Sequence, residues 1–344
     1  MSDPEISTAD RLEMLAQTSD LHRQLDGTRV LITGGTGFFG RWLLDSWVDA
    51  SIELGLDRVA VVVTRDPDAA RRAAPRVAAH PSVEFVAGDV LGAAPVGGTF
   101  DAAIHAATAA SLALTQADPR LMFDTVVTGT ANVLDWLAPS GRIPMLLTSS
   151  GAVYGRQPPE VPAFDEGHLG GPDPLDAGAV YAEAKRAAEM LCAVTGGIDA
   201  KIARCFAFVG PHLPIDAHFA IGNFVRDGLA GRDIVLHGDG TPVRSYMYAT
   251  DLVAWLWTIL LRGQAGRAYN VGSPDGHDLA AVAQMVADQC DGVDVDVRGT
   301  PVPGAAPHRY VPSTERATVE LGLRISVPID DAIERTLSWH RNRR

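Results

Sequence analysis

The first two thirds of the chain alternate short apolar runs with longer segments whose apolar residues have helical spacing. The runs are rich in β-branched residues and fall at 29–33, 59–64, 83–87, 101–106, 144–149 and 201–205. Because they are largely continuous rather than alternating, they predict strands buried on both faces. The segments between them include predicted helices at 41–54, 119–138 and 179–195. This alternation predicts an α/β protein with a doubly wound parallel sheet.

The alternation loosens beyond Phe206, where prolines and the turn GDGTP interrupt it. Further helices are predicted at 250–262, 278–290, 314–321 and 329–340. The layout predicts three parts, in which residues 1–26 are an acidic amphipathic extension that can form one helix. A sheet domain follows at 27–210, which the chain re-enters at about 245–273. A smaller mixed C-terminal lobe takes residues 211–244 and 274–344.

Charge and composition restrict the classes of function. The chain has 344 residues, 47% of them hydrophobic, and 29 basic residues against 42 acidic ones give a net charge of −13. A packed core is expected, and such an acidic surface argues against nucleic acid or anionic membrane as a partner. Three dispersed cysteines form no CxxC pair, which argues against a disulfide scaffold or a zinc ribbon. With no signal-like start and no apolar run beyond ten residues, we expect a soluble, cytoplasmic protein without bound metal.

A glycine-rich turn links the first predicted strand to the first helix of the sheet domain. Glycines at 34, 37 and 40 in TGGTGFFG allow a tight turn, close approach of the backbone to a pyrophosphate, and close packing of helix on strand. The N-terminus of the following helix offers N–H groups and a positive dipole end to the phosphates. A second strand follows about 20 residues later, so the turn predicts a dinucleotide-binding Rossmann-type domain.

The ends of the next two strands bear on the choice of cofactor. The second strand ends in Thr64-Arg65-Asp66, and a carboxylate there favours the ribose hydroxyl of NAD whereas an arginine accepts the 2′-phosphate of NADP. Both side chains are present, so NAD is expected with NADP as the alternative. Asp89, after the third strand, is a candidate for the adenine amino group, and a plain turn residue is an equal alternative.

A serine, a tyrosine and a lysine form the candidate catalytic group. Ser150 closes the fifth predicted strand, and Tyr181 and Lys185 lie four residues apart on a predicted helix. Positions i and i+4 share a helix face, so the ammonium can lower the pKa of the phenol and make it a usable acid/base. Ser150 is then placed to hydrogen-bond the reacting oxygen.

These motifs resemble the extended short-chain dehydrogenase/reductase superfamily, in its branch of sugar-nucleotide epimerases and dehydratases. The resemblance runs from about residue 28 to the closing helix. It is carried by TGGTGFFG, His105-Ala106-Ala107, TSSGAVYG, YAEAK, Arg244-Ser245-Tyr246 and YNVGS. It implies that NAD or NADP contacts Gly34, Gly37, Phe38, Phe39, Gly40, Arg65, Asp89, Val90, Ala106 and Lys185.

The resemblance also implies roles for the substrate site. Tyr181 would be the acid/base of a transient redox step at a sugar carbon, Ser150 would polarise the sugar oxygen, and Lys185 would also bind the nicotinamide ribose. Arg244 and Arg309 match positions that hold the nucleotide diphosphate, although HRYVP around Arg309 is unusual. The segment HLPIDAHFAIGN at 212–223 is distinctive, and within it His218 and Asn223 are candidate sugar contacts.

The residues after Ser150 discriminate among the reactions of the branch. Its dehydratases typically carry Asp-Glu there and its decarboxylases usually keep the glutamate, whereas this chain has Gly151-Ala152, which cannot transfer protons. We therefore expect C4 epimerisation of a nucleotide-diphosphate sugar, with reduction of a 4-keto sugar as the alternative. A dehydratase, a reductase of a non-nucleotide carbonyl compound and a dinucleotide sensor fit less well. By analogy with the branch, a homodimer through segments 119–138 and 179–195 is expected.

Overall fold

The sheet domain is built on one seven-stranded parallel sheet. The computed structural model describes residues 5–108, 117–216 and 219–343. The strands run in the order β11-β6-β5-β4-β1-β2-β3, and all six neighbouring pairs are parallel. They are β1 (Arg29–Thr33), β2 (Val59–Thr64), β3 (Val83–Ala87), β4 (Ala102–His105), β5 (Pro144–Ser150), β6 (Asp199–Cys205) and β11 (Ala268–Val271).

Both faces of the sheet are buried, as the continuous apolar runs predict. On β1, Val30 and Ile32 join one core cluster while Leu31 joins another on the opposite face. The first face is covered by α1 (Thr8–Arg23), α2 (Phe38–Leu54) and α8 (Ala249–Arg262). The second is covered by α5 (Pro119–Leu137) and α6 (Val180–Val194). The strand order reverses between β1 and β4, which opens the crevice where doubly wound sheets bind ligands. The Rossmann-type fold is thereby confirmed.

A third core cluster lies among the C-terminal elements. Its helices are α7 (Ala220–Leu229), α9 (Leu279–Ala287) and α11 (Ile329–Arg341). The short strands there pair as β7 with β10, β8 with β13, and β9 with both β12 and β14. Their bounds are β7 (Phe208–Val209), β8 (Ile234–Leu236), β9 (Val243–Arg244), β10 (Met247–Tyr248), β12 (His277–Asp278), β13 (Val295–Val297) and β14 (Arg309–Tyr310).

Three helices have no counterpart among the predicted elements. Two are α3 (Pro67–Ala73) and α4 (Pro75–Ala79), which are only seven and five residues long. Helices this short have too few turns to show a periodic pattern of apolar residues in the sequence. The third, α7, begins inside the segment 212–223, for which the sequence predicts no element, and it buries Ile221, Phe224 and Val225. One further short helix, α10 (Glu315–Leu321), lies within the predicted span 314–321.

The N-terminal extension packs as a helix onto the first face of the sheet. Ser7 caps α1 by accepting a hydrogen bond from the Asp10 backbone N–H. Its inner side then buries Met14, Leu21 and His22 against α2 and α8. Burial and the neighbouring Arg58 guanidinium hold the pKa of His22 well below its usual range, so this imidazole is neutral in the core.

A buried carboxylate fastens α1 to the rest of the molecule. Asp10 is 1% exposed and accepts hydrogen bonds from the Tyr248 hydroxyl at 3.1 Å and from Arg335 Nη1 at 3.0 Å. Tyr248 precedes α8 and Arg335 lies on α11, so one side chain ties three helices together. In the described ranges, no helix is long and apolar enough to cross a membrane.

Replacing Asp10 by alanine is expected to lower the free energy of unfolding by about 3 kcal/mol, because Tyr248 and Arg335 lose their shared acceptor inside the protein. Urea denaturation of the purified variants measures this loss. Asp20→Ala is the matched control, since Asp20 lies exposed on the same helix. Equal stabilities of the two variants would show that the Asp10 contacts do not hold α1.

Candidate functional site

The glycine-rich turn is held by very close backbone contacts. Gly34 has φ +76°, and a Cβ placed on it would lie 2.4 Å from the carbonyl oxygen of Ala106 at the end of β4. A Cβ on Gly40 would lie 2.3 Å from the Gly34 oxygen. Gly35, which the sequence analysis did not single out, would place a Cβ 2.4 Å from Val62 Cγ1. At these three positions the protein's own packing requires glycine.

Gly37 differs from its neighbours because the packing leaves it room. Its φ is −80°, and a Cβ there would meet only the Gly34 oxygen at an ordinary 3.5 Å. Gly37 is the N-cap of α2 and offers no side chain to the first turn, whose amides belong to Phe38, Phe39 and Gly40. A pyrophosphate that approaches these amides meets no Cβ at Gly37, so the turn fits a dinucleotide.

The two candidates at the end of β2 have different surroundings. The Asp66 carboxylate accepts a hydrogen bond from the Ala69 N–H at 2.8 Å and so caps α3. Arg65 is exposed, and its side chain has no hydrogen bond or ion pair to any residue that the structure describes. Of the pair, Arg65 is therefore the one free to meet a group on the adenosine ribose.

The candidate residues for the adenine lie after β3. Asp89 is exposed and accepts a hydrogen bond from the Leu91 N–H at 3.0 Å, so one of its oxygens serves a turn. Val90 is buried against Gly129 of α5. A Cβ added to Gly129 would lie 2.9 Å from the Val90 side chain. Asn132 donates to the Val90 carbonyl at 2.8 Å, which fixes this strand end against α5.

A buried chain of hydrogen bonds links the strand ends across the crevice. His105 Nδ1 lies 2.6 Å from the Thr33 hydroxyl, and its Nε2 lies 3.1 Å from Thr130. Burial and the positive charge of Lys185 lower the pKa of His105 to about 3, so its ring is neutral. The Thr148 hydroxyl donates to the His105 carbonyl at 3.2 Å. The ends of β1, β4 and β5 are thereby held in register.

Ser150, Tyr181 and Lys185 meet at the end of β5. Ser150 is the last residue of the strand, and Tyr181 lies in the first turn of α6, which covers the second face of the sheet. Lys185 Nζ lies 5.9 Å from the centre of the Tyr181 ring and donates to the Thr148 carbonyl at 2.7 Å. The Ser150 side chain interacts with the Tyr181 phenol. The structure thus brings the three candidates together.

The pKa of Tyr181 differs from the sequence-based expectation. Burial raises it to about 12, while the Ser150 hydroxyl acts in the opposite direction. Burial likewise lowers the pKa of Lys185 to about 8. The expectation that the ammonium lowers the phenol pKa is wrong for the protein's groups alone, because desolvation raises this pKa and Lys185 is not among the groups that lower it.

The two arginines expected to bind a diphosphate do not face each other. In the register of β14 on β9, Tyr310 lies opposite Arg244 and Arg309 lies opposite Val243. Paired residues of neighbouring strands point to the same side and successive residues to opposite sides. Arg244 and Arg309 therefore lie on opposite faces of the small sheet. Sequence spacing alone carries no information on this register.

Arg244 and Arg309 also have different partners. Arg244 Nη1 donates to the Val243 carbonyl at 2.8 Å and to the His308 carbonyl at 3.1 Å. Burial, Arg244 and Arg156 lower the pKa of His308, so three basic side chains lie close together. Arg309 Nε is buried and has no hydrogen-bond partner among the described residues.

The remaining candidates lie near α7. Asn223 is inside this helix, where its side-chain oxygen Oδ1 accepts a hydrogen bond from Arg226 Nη1 at 3.0 Å. His218 lies outside the residues that the structure describes. One residue missed by sequence reasoning is Tyr310, whose hydroxyl reaches Gly151 beside the candidate catalytic group. The unusual HRYVP segment was the only signal for it.

Comparison with known proteins gives consistent matches. The model of the NAD dependent epimerase/dehydratase family matches residues 30–272. UDP-glucuronic acid decarboxylase 1 of Xenopus tropicalis is 28% identical over 319 residues, which cover 92% of this chain and 73% of that protein.

Solved structures match over nearly the whole chain. The dTDP-glucose 4,6-dehydratase of Streptomyces venezuelae, with NAD bound, matches with a TM-score of 0.75 at 25% identity. The match covers 91% of this chain and 97% of the dehydratase chain. The UDP-glucose 4-epimerase of Thermotoga maritima matches with a TM-score of 0.73 at 20% identity. The match covers 91% of this chain and 99% of the epimerase chain. Three different reactions are thus represented among similar proteins.

Replacing Gly37 by alanine is expected to weaken dinucleotide binding at least about tenfold while leaving the fold intact, because the added methyl group meets the ligand and not the protein. Isothermal titration with NAD and NADP, together with thermal melting, separates the two effects. Gly40→Ala is the comparison that should lower the melting temperature. A Gly37→Ala protein that binds both dinucleotides like the wild type would contradict this placement of the pyrophosphate.

Proposed function

Because the chain belongs to the NAD-dependent epimerase/dehydratase family, we propose that it is a nucleotide-sugar 4-epimerase that forms a transient 4-keto sugar. Similar proteins named for their activity are a UDP-glucuronic acid decarboxylase, a UDP-glucose 4-epimerase and a dTDP-glucose 4,6-dehydratase. All three names specify a nucleoside-diphosphate sugar. The substrate class proposed here follows from this shared feature, and the choice of reaction rests on the chain's own residues.

The cofactor supplies reversible two-electron oxidation of the sugar carbon, and the protein supplies proton handling and orientation. Tyr181 is the proposed acid/base, which as a phenolate takes the proton from the C4 hydroxyl during oxidation and returns it during reduction. The positive charge of an oxidised nicotinamide bound beside it would favour this phenolate over the phenol, whose pKa burial raises to about 12. Ser150 is placed to hydrogen-bond the same sugar oxygen. Lys185 donates to the Thr148 carbonyl at 2.7 Å, and its Nζ lies 5.9 Å from the centre of the Tyr181 ring.

The observation that carries the choice of reaction is that, in the part of the chain that the structure describes, no carboxylate is among the groups that shift the pKa of Tyr181. Within the described ranges, the groups that shift the pKa of Tyr181 are Ser150 and Cys205, and neither is an acid that releases a proton near neutral pH. Gly151 and Ala152 add no proton-transferring side chain. Dehydration needs a base that removes a second proton, whereas epimerisation needs only Tyr181 and two faces of the keto sugar open to the cofactor.

A second function, reduction of a nucleotide 4-keto sugar, is favoured by one specific feature. Asp66 is used as a helix cap, and Arg65 has no partner among the described residues. Such an arrangement suits the 2′-phosphate of NADP, the cofactor of most biosynthetic reductions. A reductase exchanges its cofactor at every turnover, whereas an epimerase retains it.

The C-terminal elements supply the proposed substrate lobe, at residues 211–244 and 274–344. Arg244 and its basic neighbours Arg156 and His308 are the proposed site of the diphosphate. Arg309, on the other face of β14, and Asn223 of α7 are separate candidates for binding the nucleotide or the sugar.

Homodimer formation through α5 and α6 stays a prediction. Met190 and Val194 of α6 are 62% and 69% exposed, as expected for such an interface.

The function can be tested by product analysis. Purified protein is denatured and the released nucleotide is identified. Native protein is then incubated with UDP-glucose, UDP-galactose, UDP-glucuronic acid and dTDP-glucose, and separately with NADPH and a dTDP-4-keto-6-deoxy sugar. Retained NAD and a C4 epimer support an epimerase. NADPH consumption with a 4-keto sugar supports a reductase. Carbon dioxide release or a 4-keto-6-deoxy product would overturn both.

Replacing Tyr181 by phenylalanine is expected to lower turnover about a thousandfold or more, because the acid/base hydroxyl is lost while the ring keeps its packing. Bound dinucleotide, measured after denaturation, should remain at the wild-type level. Tyr269→Phe is the matched control, since Tyr269 lies on β11 and bonds Glu320 and the Gln264 N–H. Wild-type turnover in Tyr181→Phe would refute its role as acid/base.

A further inference from the structure

The chain that leaves the catalytic end of the sheet after β6 runs along α2. Phe206 lies beside Gly151, where an added Cβ would come 2.7 Å from the Phe206 Cζ atom. Two residues later, the Phe208 ring contacts the Phe39 ring in the first turn of α2, with the ring centres 5.0 Å apart. The path from the candidate catalytic group to the C-terminal lobe therefore passes the helix whose N-terminus is expected to bind the pyrophosphate.

The next contact along this path is a buried hydrogen bond from Trp42 of α2. The Trp42 side chain is fully buried, and its Nε1 donates to the Pro211 carbonyl at 2.8 Å. Trp42 follows Phe38 by four residues and precedes Asp45 by three, so the three side chains share one helix face. Asp45 Oδ2 lies 3.8 Å from Nε2 of His212. One face of α2 thus contacts two successive residues of the chain after β7.

The second of these residues, His212, has a strained backbone conformation. Among the residues that the structure describes, it is the one residue other than glycine with a positive φ, at +69°. A residue with a side chain is unfavourable in this left-handed region and stays there only where its surroundings hold it. The His212 ring lies between Trp42 and Trp339 of α11, with ring centres 6.3 and 4.8 Å away. The Trp42 hydrogen bond fixes the carbonyl directly before the strained residue.

The left-handed turn at His212 leads the chain towards α7. The Leu213 N–H donates to the Gly210 carbonyl at 3.2 Å, which closes the turn. Leu213 then joins the third core cluster, and a Cβ on Gly222 of α7 would lie 2.9 Å from the Pro214 carbonyl oxygen. The helix that carries Asn223, a candidate for binding the nucleotide or the sugar, therefore packs directly on the residues that leave the turn.

We propose that Trp42 is a positioning residue that holds the left-handed turn at His212 and so sets where α7 lies relative to the cofactor turn. The Trp42 ring is fully buried and its N–H is used by Pro211, so it acts on the nucleotide sugar only through the turn and α7. This role rests on the proposed function, since it concerns the binding of a nucleotide sugar.

The physical effect of losing this hydrogen bond falls on substrate binding. Without it, the strain at His212 is less well opposed, and the chain samples arrangements in which the turn and α7 are displaced. A nucleotide sugar binds only the fraction of molecules with the native arrangement, so its apparent affinity falls with that fraction. The candidate catalytic group lies on β5 and α6, which the Trp42 hydrogen bond does not contact, so substrate that has bound reacts at an unchanged rate.

The first test is Trp42→Phe, which removes the N–H donor and keeps an aromatic ring in the core. We expect KM for the nucleotide sugar to rise about tenfold, with kcat and bound dinucleotide at the wild-type level. Trp47→Phe is the matched control, because Trp47 is also fully buried on α2 and donates to the Ser82 carbonyl at 3.0 Å. The control should lower the melting temperature as much as Trp42→Phe does and keep the wild-type KM.

The second test changes the turn itself. His212→Gly removes the ring and lets the backbone leave the left-handed conformation, which glycine adopts as only one of several. We expect a similar rise in KM. The double variant Trp42→Phe/His212→Gly should have a KM no higher than that of the weaker-binding single variant, since both changes act on one turn. Multiplicative losses would contradict this coupling, and a wild-type KM in His212→Gly would overturn the proposal even where Trp42→Phe does not fold.

The outcomes separate this proposal from the proposed function. If the wild type converts a nucleotide sugar and Trp42→Phe keeps its KM, or if Trp47→Phe raises KM equally, the positioning role is overturned while the proposed function stands. A fall in kcat at unchanged KM would overturn the positioning role as well. If the wild type converts no nucleotide sugar, the proposed function is overturned and the positioning role with it.

Discussion

The approach of the Gly34 backbone to the carbonyl of Ala106 is the contact on which the candidate site depends. A Cβ at Gly34 would lie 2.4 Å from that carbonyl oxygen, so the turn after β1 and the end of β4 touch without any side chain between them. This contact brings the N-terminus of α2 to the point where the strand order reverses. The buried hydrogen bonds of His105 then carry the alignment on to β5 and Ser150. Cofactor turn and catalytic group are therefore parts of one rigid sheet edge.

The elements of the sheet were predictable because each has a local cause. Continuous β-branched runs are typical of doubly buried strands, and the six predicted runs match β1 to β6 within a few residues. The helices 119–138 and 179–195 also match α5 and α6 within one residue at each end. Short helices such as α4 escaped prediction because five residues are too few for a periodic pattern.

The parts of the site that could not be predicted depend on register and on burial. Whether Arg244 and Arg309 share a face follows from the pairing of β14 with β9, which no local pattern specifies. The high pKa of Tyr181 follows from desolvation by residues far apart in the sequence. Tyr310 reaches Gly151 across the fold in the same way.

The net charge of −13 does not prevent the protein from offering local basic groups to an anionic ligand, as around Arg244.

The most direct measurement of the central claim follows the hydrogen at the reacting carbon. The nucleotide sugar that the enzyme converts best is prepared with deuterium at C4, and its product is analysed by NMR and mass spectrometry. An epimerase that oxidises and reduces the same carbon with a retained cofactor predicts a C4 epimer with the deuterium still at C4. A product that has lost the deuterium from C4, or one that has lost C6 as carbon dioxide, would contradict it.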